Sequence, residues 1–351
     1  MIQRMSLSLC RKAAAQRTKE AMNAAKKPAD RVTQWAASGI SMLNGAFGDY
    51  LVRRNNGLAI DMAFMHRGRA LALEQGVLRA VYPSSDGRLC IFLHGLCCSE
   101  ASWQFPDAGN EAEGTYGAML QEELGITPMF VRYNTGLPIA ENGRRLSGML
   151  DALLVAFPVA IREIVLIGHS MGGLVARSAC AVARSAASNG AGGAWLARLT
   201  KVFYLGTPHE GADLEKFAHV TNIVLEAVPN RVTRLIGDIL GLRSEGIKDL
   251  RTGLGAVDAA TRTGTHDETE SIRHYLLAGT LADDPEHPVS RLLGDGLVRV
   301  PAMEGSGDGT SSGMERVQIA VFPGVHHMAL ARDLGVYRQI KDWMTDKKVD
   351  T

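Results

Sequence analysis

Ser170 is the residue in this chain whose surroundings are best suited to covalent chemistry. Gly168-His169-Ser170-Met171-Gly172 has the form Gly-x-Ser-x-Gly. It follows the apolar run 164–167 and precedes a small-residue segment, 173–183, of helical composition. Strand, sharp turn and helix give this pentapeptide the meaning of a nucleophile elbow, with the serine hydroxyl exposed on a strained turn. Gly168 and Gly172 suit such a turn, because a side chain at either would hold strand and helix apart. The unpaired N–H groups at the helix start favour negative charge developing near Ser170.

A serine hydroxyl is a weak nucleophile at neutral pH and needs a base, which itself needs an orienting acid. With serine first in the chain, acid and histidine follow it, each after a late strand. For the acid the sequence favours Asp295, held between Gly294 and Gly296 and followed by Leu297-Val298; Asp283 and Asp284, just after the run 274–278, compete. For the base, Pro323-Gly324-Val325-His326-His327-Met328 follows the run 317–322, and spacing alone leaves either histidine open. The tetrahedral intermediate of acyl transfer also needs backbone donors at its oxyanion. The Met171 N–H is one, and the Leu96 N–H, in the turn His94-Gly95-Leu96, is the other. His94 reads as a support for that turn, and Cys97 and Cys98 as small, partly buried residues. Paired histidines also raise a metal site, but no carboxylate or thiol stands at ligand spacing beside them, so neither a metal nor a cofactor is expected.

Positioning these residues takes a sheet. The runs 89–93, 128–133, 164–167, 201–205, 274–278 and 317–322 read as strands, and 113–124, 141–157 and 334–344 as helices. In the clearest helix, Leu146, Met149, Leu150, Leu153, Leu154 and Phe157 recur at spacings of three and four, one apolar face against the sheet. Alternating strands and helices argue for an α/β fold with a mostly parallel central sheet and helices on both faces. Residues 36–88 read as one or two helices and a strand pair packed on the core, with turn signals at Asn44-Gly45 and Asn55-Asn56-Gly57. Residues 89–346 would form the catalytic domain, and 209–270, where the rhythm breaks, a helical lid insertion.

Composition narrows the partners. A net charge of +1 over 351 residues gives no reason to expect nucleic acid. Residues 1–35 form a basic extension, helical or disordered, with a helix end expected near Pro28. Within 1–31 there are eight Lys and Arg against Glu20 and Asp30, a balance that would allow peripheral contact with an anionic membrane. No run of 18 apolar residues exists, so no membrane-spanning helix is expected. Five cysteines without a Cys-x-x-Cys pair fit a reducing compartment, and a cytoplasmic location is the expectation. Nothing in the sequence indicates an oligomeric state.

Several motifs occur together and in order. They are His94-Gly-Leu-Cys-Cys-Ser-Glu-x-x-Trp103, Tyr133-Asn-Thr-Gly136, Glu141-Asn-Gly143, Gly168-His-Ser-Met-Gly-Gly173, Gly206-Thr-Pro-His-Glu-Gly-Ala212 and Gly294-Asp-Gly-Leu-Val298. Over residues 70–345 the chain resembles the lipase/esterase branch of the α/β-hydrolases, specifically the bacterial proteins similar to GPI inositol-deacylases. The resemblance implies the α/β-hydrolase fold and a serine carboxylester hydrolase acting on an ester or lipid small molecule. It implies Asp295 as the acid, and His327 as the base because an apolar residue, Met328, follows at once. It does not carry a substrate across, and residues 1–35 have no counterpart in it. The same acyl-enzyme would serve an acyltransferase or thioesterase. A non-catalytic binding protein of this fold is the remaining reading, and the presence of Ser170, Asp295 and His327 argues against it.

Overall fold

A computed structural model describes residues 28–105, 114–209, 244–252, 272–280 and 317–345. Among these residues the centre is one sheet of eight strands: β1 (Ala63–His66), β2 (Arg69–Ala70), β3 (Arg88–Leu93), β4 (Thr127–Arg132), β5 (Glu163–His169), β6 (Leu199–Leu205), β7 (Arg273–Gly279) and β8 (Val317–Phe322). The order across the sheet is β2-β1-β4-β3-β5-β6-β7-β8. β1 runs antiparallel to both its neighbours, and all pairs from β4 to β8 are parallel. The six strands expected from apolar runs are all present, and the expected strand pair before them is the β1–β2 hairpin.

Among the described residues the helices are α1 (Pro28–Arg53), α2 (Gln75–Val81), α3 (Tyr116–Leu124), α4 (Ile139–Ala156), α5 (Met171–Ser188), α6 (Glu245–Thr252) and α7 (Leu334–Thr345). Because side chains alternate along a strand, each central strand feeds two cores. Leu89, Ile91 and Leu93 of β3, with Ile164 and Leu166 of β5, meet Leu146, Leu150 and Leu153 of α4 and Leu174 and Val175 of α5. Cys90, Phe92, Val165 and Ile167 point the other way, onto Trp103, onto Tyr116 and Leu120 of α3, and onto Val336 and Ile340 of α7. Each such aliphatic side chain, fully buried, contributes about 1.5–3 kcal/mol, which is why continuous apolar runs encode these strands.

Strand order also decides where a site can form. The chain leaves β3 for β4 on one side, then crosses to place β5 on the other. The loops after β3 and β5 therefore diverge at the carboxyl edge of the sheet and leave a crevice between them, the usual ligand position in such sheets.

One local expectation is corrected. Asn44-Gly45 is no turn; both residues lie inside α1. The Asn44 side chain donates to the carbonyls of Ile40 (2.9 Å) and Leu58 (2.7 Å) and accepts from the Ile60 N–H (2.9 Å), so it pins the following loop to the helix. Gly45 is required by the close approach of Cys97, which a Cβ would strike. The helix expected to end near Pro28 falls in residues that lie outside the described ones; Pro28 is the first described residue of α1.

Within the expected lid, residues 210–243 and 253–271 lie outside the described residues, but α6 is packed on the core. Ile247 and Leu250 are buried, and Asp249 accepts the Ile139 N–H at the start of α4 (2.8 Å). The basic segment 1–27 also lies outside them. Among the described residues no helix is long and apolar enough to cross a membrane.

Candidate active site

Strand β5 ends at His169 and α5 starts at Met171, so Ser170 alone makes the turn between them, with φ 54° and ψ −124°. For a residue with a Cβ this costs about 1–3 kcal/mol and persists only where the surroundings enforce it. They do: the Ser170 N–H donates to Leu205 O (2.8 Å), and Ser170 O accepts from the Gly173 N–H (3.1 Å). A Cβ on Gly172 would run into the carbonyls of Leu93 and His94, and one on Gly168 into the backbone of Gly173. Both glycines are thus fixed by contact.

The loop after β3 forms one wall. His94 is fully buried and stacks on Tyr133, ring centroids 4.4 Å apart. Tyr133 Oη donates to His94 O (2.6 Å), and His94 Nδ1 lies 2.9 Å from Gly95 O, which can only accept. The imidazole therefore carries its proton on Nδ1, leaving Nε2 to accept from the Tyr133 N–H (3.4 Å). Burial pushes its pKa down to about 4. One ring nitrogen is thus engaged by Gly95 of its own loop and the other by Tyr133 after β4, an arrangement that suits a support. Gly95 lies against Ser170: a Cβ there would be 3.1 Å from Ser170 Cβ. Cys97 takes a positive φ of 59°, and its N–H donates to Thr135 Oγ1 (3.1 Å). Burial pushes the Cys97 and Cys98 thiols up to about 12, so neither is a thiolate at neutral pH. Among the described residues no loop or turn hydrogen bond is given by the N–H of Leu96 or of Met171.

The segment after β8 forms the opposite wall. A 3-10 turn spans His327–Ala331, and its first residue is 3% exposed whereas His326 is exposed. The His327 ring lies 4.9 Å from that of His169 at 44°, and His169 Nε2 is 3.0 Å from His327 O. From α3, Tyr116 Oη reaches Leu330 O (2.9 Å) and Asp333 O (2.6 Å).

Of the residues singled out in the sequence, Ser170, Met171, Gly168, Gly172, Leu96 and His327 come together at the carboxyl edge of the sheet. Asp295 and its competitors Asp283 and Asp284 lie outside the described residues. Sequence reasoning missed the parts played by Tyr133, Thr135 and Trp103. The first two sit in a motif, Tyr133-Asn-Thr-Gly136, that carried the resemblance without a physical role attached. It also passed over His169, which fills a position the elbow motif leaves free.

Residues 85–236 match the family described as the PGAP1-like alpha/beta domain. No curated protein matches the chain. Among solved structures it is similar to the mature form of Bacillus licheniformis lipase BlEst2, with 18% identity, 75% of this chain and 94% of that chain covered, and a TM-score of 0.48. It is similar also to the lin2722 gene product of Listeria innocua, with 15% identity, coverage of 76% and 96%, and a TM-score of 0.43. For the carboxylesterase CesB of Bacillus subtilis the figures are 12% identity, coverage of 74% and 84%, and a TM-score of 0.41.

Proposed function

We propose that this protein is a serine carboxylester hydrolase of the lipase/esterase kind. His327, oriented by Asp295, takes the Ser170 proton as Oγ attacks the ester carbonyl. The Leu96 and Met171 N–H groups hold the oxyanion, and the protonated His327 delivers its proton to the departing alcohol. Water, deprotonated by His327, then attacks the acyl-enzyme and releases the acid. No cofactor enters. The observation that carries this reading is the Ser170 backbone, at φ 54° beside a loop whose glycine touches the serine. A strained serine between strand and helix is the conformation a nucleophile elbow requires, which supports this reading. The burial of His327 next to His169 supports it as the base over the exposed His326.

Ser170→Ala tests the reading. It should lower turnover of p-nitrophenyl esters by about 10⁴-fold or more and abolish labelling by a fluorophosphonate probe. The urea midpoint should stay at or above wild type, because no hydrogen bond of the described core uses the hydroxyl. Turnover that survives in the folded variant overturns the proposal. Running the wild type with added short alcohols separates hydrolysis from acyl transfer, since a transferase would give the new ester in preference to free acid.

A further inference from the structure

We infer that His169, the residue before the nucleophile, is a positioning residue that registers the His327 segment against the elbow; this rests on the hydrolase reading above. The period of β5 explains its direction. Val165 and Ile167 face α3 and α7, so His169, two further on, faces the same side. That is the side on which residues 327–331 close over the end of the sheet.

There the residue is 1% exposed, between the loop after β3 and the segment after β8. Trp103 stands edge-on to it at 6.3 Å and 77°, and a Cβ on Gly95 would lie 3.2 Å from its Nδ1. The ring of His327 is 4.9 Å away. The bond that matters runs from Nε2 to His327 O, at 3.0 Å. A carbonyl oxygen only accepts, so His169 must hold its proton on Nε2. What it grips is the peptide of His327, and a fixed peptide fixes the direction of the Cα–Cβ bond and with it the arc the imidazole can sweep. Tyr116 fastens the far end of the same segment, at Leu330 and Asp333. His169 fastens the near end. Because it is covalently joined to Ser170, any displacement of the elbow displaces the base with it.

The test compares donors of different reach. His169→Met keeps bulk and removes the donor. His169→Gln places an N–H near the Nε2 position, whereas His169→Asn places one nearer Nδ1. With p-nitrophenyl butyrate, His169→Met should lower kcat by about 10²-fold with KM within about twofold, the size expected for a misplaced catalytic group. It should also slow fluorophosphonate labelling of Ser170 and move the acid limb of the kcat/KM pH profile. His169→Gln should recover most of the rate and the wild-type profile. Wild-type kcat and pH profile in His169→Met would overturn the inference, as would equal losses in Met and Gln. If the Met variant does not fold, Asn against Gln decides: equal activity in the two refutes a bond from Nε2. Retained turnover in Ser170→Ala sinks the hydrolase reading itself. A dead Ser170→Ala beside a wild-type-like His169→Met sinks only the role of His169.

Discussion

The two walls on either side of Ser170 are built differently. The wall after β3 is fastened along its length. His94 is stacked on Tyr133, Gly95 O accepts the Cys98 N–H, Cys97 is bonded to Thr135 and pressed on Gly45 of α1, and Glu100 pairs with Arg132. The wall after β8 is gripped by side chains reaching in from elsewhere, His169 at one end and Tyr116 at the other. The proposed chemistry accounts for the contrast. An oxyanion donor is a backbone N–H and can be placed only by placing the backbone, within tenths of an ångström. A base works through its own side-chain torsions and must serve two atoms in turn, serine oxygen and leaving group. Its peptide needs anchoring; its ring needs freedom. On this view deletions in the first wall lower stability, and deletions at the anchors of the second lower activity.

Trp103 belongs to the first wall and packs beside both side chains that grip the second, Tyr116 and His169, and removing it should have the largest effect. It is fully buried, with ring neighbours Phe92 at 5.1 Å, Tyr116 at 6.2 Å and His169 at 6.3 Å. Trp103→Ala should cost about 3–5 kcal/mol of unfolding free energy in urea, the range for emptying an aromatic site in a packed core. A loss under about 1 kcal/mol would show that the first wall repacks freely, and the contrast would fail.

Acid probes the same wall without a mutation. The folded pKa of His94 is depressed by burial to about 4 from an ordinary 6.5, so between those values the unfolded chain binds more protons than the native one. Stability contributed by keeping this ring neutral is fully present above pH 6.5 and is lost as pH falls toward 4, by up to about 3 kcal/mol. His209 and His274, pushed down to about 4 by burial first and then by positive neighbours, act in the same direction. Urea titrations from pH 7.5 to 4 should show this decline, and His94→Asn, which cannot take the proton, should flatten it. An unchanged slope in that variant would separate the fold's acid sensitivity from the β3 loop.

What the sequence made legible follows the range of the forces involved. The strands were readable because burial on both faces leaves unbroken apolar runs such as 164–167, and α4 because its face repeats at three and four. The elbow was readable because its pentapeptide is contiguous and Gly168 answers to Gly172 and Gly173 a few residues away, although Gly172 itself answers to the distant Leu93 and His94 carbonyls. Asn44-Gly45 misled because its partners, Leu58, Ile60 and Cys97, are distant in sequence, and in isolation the pair has only its turn preference. Tyr116 and His169 were invisible for the same reason: the carbonyls they hold are more than 150 residues further along the chain.

The finest test makes one chemical deletion on each wall. Tyr133→Phe removes the donor to His94 O, a 2.6 Å bond, and Tyr116→Phe removes the donor to Leu330 O and Asp333 O. Each leaves a buried carbonyl underserved, so both variants should lose about 1–2 kcal/mol in urea. Their effects on kcat should part. His94 stays stacked on the ring of residue 133 and bonded to its N–H, so the first wall keeps its shape and kcat stays within about twofold, since only one of its several fastenings is lost. The segment 327–331 loses the tie at its far end and pivots about His169, and kcat should fall by about tenfold as the base is misaligned. Equal kcat losses in the two variants would mean that both walls are held alike, and that the arrangement of bonds around Ser170 does not sort donors from base.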